Sequence, residues 1–273
     1  MFKKLLKYDF RALFKTWWIF AVIIISISFI SGLLINVSLK EEDSILLLSI
    51  FASLSAAFTA FGMFAFCISP IIISSVRFYK HLFSDEGYLT FTLPVKLKHI
   101  INSKLISTSV LNILSIIVVF ISAFIMLLMF DNGIIINLLK SILSDIAASF
   151  ERSPLWTIVL ILEILALIAV VSLISMIFVF ICITLASIIT KKHKVLASIG
   201  IYYGANNVMS FFIQMITIFA LPSLSVYLET IPEESILPYK CFFMLTILVL
   251  ISIIFILLYI LQYYMLDKKL NLS

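Results

Sequence analysis

Hydrophobic residues occur along this chain in long runs, without the short alternations of a soluble fold. The first run without a charge covers residues 16–37, about as long as the roughly 20 residues needed to cross about 30 Å of hydrocarbon. Comparable apolar runs cover residues 45–76, 105–130, 155–190, 195–221 and 241–266. The pattern predicts an all-α integral membrane protein with six spanning helices in a single transmembrane domain over residues 1–273.

Two further stretches are amphipathic with helical period. Over residues 1–15, Phe2, Leu5, Leu6, Phe10, Leu13 and Phe14 share one side, while Lys3, Lys4, Lys7, Arg11 and Lys15 occupy the other. That is the pattern of an interfacial elbow helix lying on an anionic leaflet and leading into the first span. The basic start resembles a secretory signal, but the run that follows is longer than a signal core of about 7 to 15 residues, so it reads as an uncleaved span. After the third run, Ile135, Leu138, Leu139, Ile142, Leu143 and Ile146 recur at the same spacing, with Lys140, Ser144 and Asp145 elsewhere. A helix on the outer surface fits this pattern, and so does packing against the bundle.

Composition agrees with the membrane assignment. The chain is 63% hydrophobic and 12% charged, against roughly 45–50% and 25% in soluble domains. Its 19 Lys and Arg against 14 Asp and Glu give a net charge of +5, and their placement says more than their sum. Residues 1–15, 77–104, 191–194 and 267–273 hold 15 of the basic residues and four acids, whereas the three alternate connections hold four basic residues and nine acids. Cytoplasmic loops collect Lys and Arg, so the alternation predicts both termini in the cytoplasm. Several runs exceed a span: residues 45–76 must tilt, break or project, with Pro70 as the point of adjustment, and Pro154 suits the first turn of the fourth.

Several chemistries are excluded by what is missing. None of the six glycines precedes a lysine, so there is no phosphate-binding loop and the chain is not itself a P-loop ATPase. His81, His99 and His193 form no metal-binding spacing with each other or with Cys67, Cys182 and Cys241. The spans hold neither an arginine ladder nor a glycine-rich carbonyl filter. No catalytic residue, metal or bound cofactor is expected on this chain.

The stretch with the most functional information is the second cytoplasmic connection, residues 77–104. Asp85, Glu86, Gly87, Tyr88, Leu89, Thr90, Phe91, Thr92, Leu93 and Pro94 form an apolar, aromatic loop where a plain connection need only be polar. Gly87 allows a turn, a short helix can follow, and Pro94 stops it. These residues either dock on a partner or pack on the chain's own helices. Here the sequence resembles the ABC-2 type permeases of ATP-binding-cassette transporters, particularly small six-span permeases of Gram-positive bacteria. The loop resembles the coupling helix that docks in a groove of the ATPase, and the likeness extends to the basic start and to Ser103, Lys104 and Leu105. Short outer loops set the chain apart from larger members, which carry an extracellular domain.

The resemblance implies a compact type V exporter-like fold in the bacterial cytoplasmic membrane and a pair of permease subunits, identical or not. It also implies a separate ATPase carrying ATP and Mg. A cavity lined by Phe, Ile, Met and Leu suggests outward movement of amphipathic or hydrophobic cargo such as small peptides, bacteriocins or toxins, with antimicrobial resistance as one outcome. Alternatives from other classes are an immunity or sensing module, a membrane anchor for an ATPase, and an ATP-independent channel or secondary transporter. No inverted repeat supports the last of these.

Four polar residues within spans are candidates for a substrate pathway. Glu163 is the only acid inside a span and by default faces the bundle, as a substrate or proton site or as a partner for a neighbouring helix. Asn206, Asn207 and Gln214 can line a pathway or bond between helices. Gly200 and Gly204 form a small-xxx-small pattern suited to close helix packing, within the chain or at a dimer seam.

Overall fold

The structure, a computed structural model, describes residues 2–40, 46–84, 87, 95–130, 132–190, 192–229 and 236–268. They form helices α1 (Phe2–Lys40), α2 (Leu46–Phe83), α3 (Leu97–Phe130), α4 (Asn132–Arg152), α5 (Pro154–Ile189), α6 (Lys194–Glu229) and α7 (Ile236–Lys268), with no strand among the described residues. Five of these, α1, α2, α3, α5 and α7, are long and apolar enough to cross a membrane. The run at residues 195–221 falls within α6.

Most of these helices outlast the hydrophobic run they carry; α5 matches its run in length. The elbow expected over residues 1–15 and the span over 16–37 are one uninterrupted helix of 39 residues, about 58 Å long at 1.5 Å per residue. Nothing between Phe10 and Phe20 is a glycine or proline, and Lys, Arg, Ala and Leu are all good helix formers. Likewise α2 runs past residue 76 to Phe83 and α3 begins at Leu97, so most of the expected connection at 77–104 outside its apolar loop is helical. Hydropathy marks where hydrocarbon ends, whereas a helix ends only where backbone chemistry stops it.

Proline inside α2 illustrates this. Pro70 has no N–H to offer the carbonyl of Phe66, one turn back. The hydroxyl of Ser69 donates to that oxygen at 2.8 Å, and the helix continues through.

The chain divides into two compact units. The first comprises residues 1–76 and 102–147. Its core joins Leu13, Trp17, Ala21 and Ile24 of α1 to Phe66 of α2 and Leu111 of α3. Trp17 meets Phe66 with ring centroids 5.8 Å apart, and the tip of Ile24 lies against Gly62, so α1 and α2 run antiparallel. Between α1 and α3 the pairs are Asp9 with Ser103, Trp17 with Ser115 and Asn36 with the Met129 carbonyl, so these two run parallel.

Polarity in this unit is inside out. The buried positions of α3 include Ser103, Lys104, Ser107, Thr108, Ser109, Ser115 and Ser122, while Ile106, Val110, Ile116, Ile117, Phe120 and Ile121 are exposed. In water that arrangement would be unstable. In a bilayer it is expected, because lipid tails are as apolar as Leu, and helices associate through small side chains and interhelical hydrogen bonds. The indole N–H of Trp17 donates to Ser115 Oγ at 2.6 Å, and the Asn36 amide to Met129 O at 2.7 Å.

The second unit comprises residues 77–101 and 148–273, and α5 is its axis. From Met176 to Thr184 all but one residue of α5 is buried, because α5 packs against both α6 and α7. The N-terminal half of α5 is mostly exposed, and a helix with apolar surroundings on every side, protein at one end and lipid at the other, needs no polar face, so its sequence shows no amphipathic period. Cys241 donates to the Trp156 carbonyl at 3.4 Å and Gln262 bonds Thr184, so α5 and α7 run parallel. The rings of Phe178 and Tyr202 lie 5.8 Å apart, on the antiparallel hairpin of α5 and α6. The turn of that hairpin holds His193 with φ 58°, a left-handed position that His tolerates better than a branched residue.

Candidate functional site

The apolar loop that carries the functional expectation falls largely outside the described residues: Asp85, Glu86, Tyr88, Leu89, Thr90, Phe91, Thr92, Leu93 and Pro94 lie there. Its two stems are described, and both belong to the second unit.

The descending stem is the last turn of α2. Phe78 and Leu82, four residues apart on one helical face, are each 1% exposed. The Phe78 ring stacks on Phe180 of α5, with centroids 4.0 Å apart and planes within 6°. Phe83 flanks both Phe78 and Tyr79. Lys80 and His81 in the final turn complement the negative end of the helix dipole. Beyond it, the Gly87 N–H donates to Ser84 O at 2.7 Å. A Cβ on Gly87 would sit 2.8 Å from the Leu82 carbonyl oxygen, so the chain leaves the helix by a path that admits only glycine without adjustment.

The returning stem starts α3, where the His99 N–H donates to Lys96 O. Ile100 and Ile101 are buried, and Lys98 Nζ lies 5.3 Å from the ring centroid of Tyr263 on α7. Below Phe180, Thr184 and Gln262 are both fully buried. The Thr184 hydroxyl donates to Phe180 O at 2.8 Å and accepts from Gln262 Nε2 at 3.0 Å. One stem is therefore fixed to α5 and the other to α7, which are themselves bonded.

In the first unit, Asp9 is 3% exposed and Lys104 is 6% exposed. Asp9 Oδ2 accepts from Ser103 Oγ at 2.6 Å, and Lys104 Nζ lies 3.8 Å from Oδ1. The basic start and the Ser103-Lys104 pair, read separately in the sequence, are one buried polar cluster. Sequence reasoning did not find it, although serines recurring at about four-residue intervals from Ser103 to Ser115 were a signal.

The four pathway candidates are not gathered into one enclosed site by this chain. Glu163 has both carboxylate oxygens buried without a hydrogen-bond partner among the described residues, within electrostatic reach of Cys241 on α7. Asn206, Asn207 and Gln214 are instead exposed on α6, and the Asn207 amide bonds back to Tyr203 O at 2.8 Å. Among the described residues, nothing lies within 4 Å of a Cβ placed on Gly200 or Gly204. The close approach is made by Ser28-x-x-x-Gly32 on α1, where a Gly32 Cβ would meet the Met126 carbonyl at 2.6 Å. Both motifs have the same spacing, so spacing alone does not tell which one has a helix against it. No family model matches the chain, and no curated protein or solved structure is significantly similar to it.

Proposed function

We propose that this chain is the membrane-spanning permease subunit of an ATP-driven ABC-2 type exporter in a bacterial cytoplasmic membrane. In this reading α6 supplies the sixth span, both termini are cytoplasmic, and a second permease and a separate ATPase complete the complex. The observation that carries the reading is the loop at residues 85–94, apolar and aromatic between stems held by Phe180 of α5 and Tyr263 of α7. A partner that moves the loop moves both stems, and through them two helices that run most of their length in lipid. ATP binding and hydrolysis on the partner bias the spans between conformations, and the cargo follows. Open, amide-bearing α6 is the natural wall for an amphipathic or hydrophobic cargo, and Glu163 of α5 is a buried acid in the same unit.

The test is assembly and coupling. Replacing a large buried anchor by Ala at an interface centre costs about 2 kcal/mol or more, roughly thirtyfold in affinity. The Tyr88→Ala, Phe91→Ala double variant should therefore lose copurification with the partner ATPase, and lose transport in proteoliposomes. Wild-type assembly and coupling in that variant would return the loop to ordinary packing.

A further inference from the structure

Helix α4 carries an apolar face that no described residue covers. Leu138, Leu139, Ile142, Leu143 and Ile146 are each between 40% and 63% exposed. They recur at i, i+1, i+4, i+5 and i+8, one side of a helix; the opposite side carries Asn137, Lys140, Ser141 and Ser144, and Asp145 sits at the border. Packing of this face against the bundle, one of the two readings open from sequence, is therefore not what is found.

The tethers of α4 identify the occupant. The helix begins two residues after Phe130 of α3 and ends two residues before Pro154 of α5, and both α3 and α5 are long and apolar enough to cross a membrane. Lys140 and Asp145 at its centre are costly in hydrocarbon, and the alternation of Lys and Arg between connections leaves α4 outside the spans, so both its ends lie at one face of the bilayer. The junction with α5 is fixed by Ser149 O, which accepts from the Ser153 N–H at 3.1 Å and from Thr157 Oγ1 at 3.0 Å. A helix of 21 residues, about 32 Å long and held at both ends at the headgroups, meets lipid at a local concentration no free partner matches. Its charge is equally informative. Lys140 and Arg152 are balanced by Asp145 and Glu151, and Ser141, Ser144, Ala147, Ala148 and Ser149 fill much of the remainder. Unlike the Lys-rich start of α1, this helix gains nothing from anionic headgroups.

We propose that α4 is an interfacial helix that inserts its Leu/Ile face at the acyl–headgroup boundary of the outer leaflet. It responds to how loosely the lipids pack, not to their charge. The inference requires α3 and α5 to cross the bilayer and is independent of the ATPase partnership.

The experiment uses the full chain in vesicles of unsaturated phosphatidylcholine. An environment-sensitive probe is attached at Leu139→Cys, Leu143→Cys, Asn137→Cys or Ser144→Cys, with the unsubstituted protein as blank and Phe120→Cys, on an exposed face of α3, as the lipid control. Brominated acyl chains should quench the probe at 139 and 143 severalfold more than at 137 and 144. That contrast should be unchanged by added phosphatidylglycerol or salt and should shrink in saturated, tightly packed lipid. Amide exchange of α4 in the unsubstituted chain, slower in loose than in tight lipid, gives the same answer without substitution. Equal quenching on both faces, quenching that follows phosphatidylglycerol content, or shielding of 139 and 143 from both lipid and aqueous quenchers overturns the proposal. The last outcome would point to a protein cover. Loss of quenching at 120 would overturn the span assignment beneath it.

Discussion

Lys104 is a cation with almost no access to water, and its ammonium lies 3.8 Å from the Asp9 carboxylate. Two charges removed from water gain little over an apolar pair, but removing one partner strands the other, at about 3–5 kcal/mol. Asp9→Asn and Lys104→Met should therefore each lower thermal stability in detergent strongly, and the double variant should recover most of the loss. Additive losses in that cycle would mean the two charges do not interact. Asp9 was visible in the sequence only as one of four acids on the basic side, because charge counting treats ionised groups as a sum and cannot tell a solvated carboxylate from one facing a lysine 95 residues away. The same limit applies to the glycines. Gly32 and Gly200 each follow or open a small-xxx-small pattern, and the difference between them is a neighbouring helix supplied by distant sequence.

At the scale of elements, hydropathy located the lipid-crossing stretches because transfer of apolar surface is a local property. It did not locate helix ends, since lysine and arginine sustain a helix as well as leucine does. Nor did it show which face is buried, because in α3 the buried face is the more polar one. Helix α2 allows a sharp test of how a helix survives proline. Ser69 supplies the donor that Pro70 withholds, so Ser69→Ala leaves the Phe66 carbonyl unpaired, a penalty of about 1–3 kcal/mol. In a Pro70→Ala background the backbone N–H of residue 70 returns, and Ser69→Ala should then be nearly neutral. Equal losses in the two backgrounds, measured by thermal unfolding in detergent, would remove the serine from that role.

For the whole molecule, the helix directions alternate within each unit: α1 and α3 run one way and α2 the other in the first, and α5 and α7 run one way and α6 the other in the second. Segregation of Lys and Arg sets the same alternation as an expectation for the spans. The loop at residues 85–94 was legible as an anomaly of composition, since aromatic residues in a connection between spans need a reason. Its attachment was not legible, because Phe78 finds Phe180 only after about a hundred intervening residues have folded back. The face of α4 was legible as a pattern, while its lack of cover needed the packed chain.

The seam between α1 and α3 also sets an order in time. Asp9, Trp17 and Asn36 wait for partners 94, 98 and 93 residues further along. At about 5–20 residues per second of synthesis, α1 is made on the order of 5 to 20 s before these positions of α3 can reach it. During that interval the insertion machinery is its expected resting place. Photo-crosslinks from position 17 in nascent chains stopped before Ser103 should reach the machinery, and those from chains extended past Phe130 should reach α3. Crosslinks to lipid at both lengths would show that α1 is released on its own.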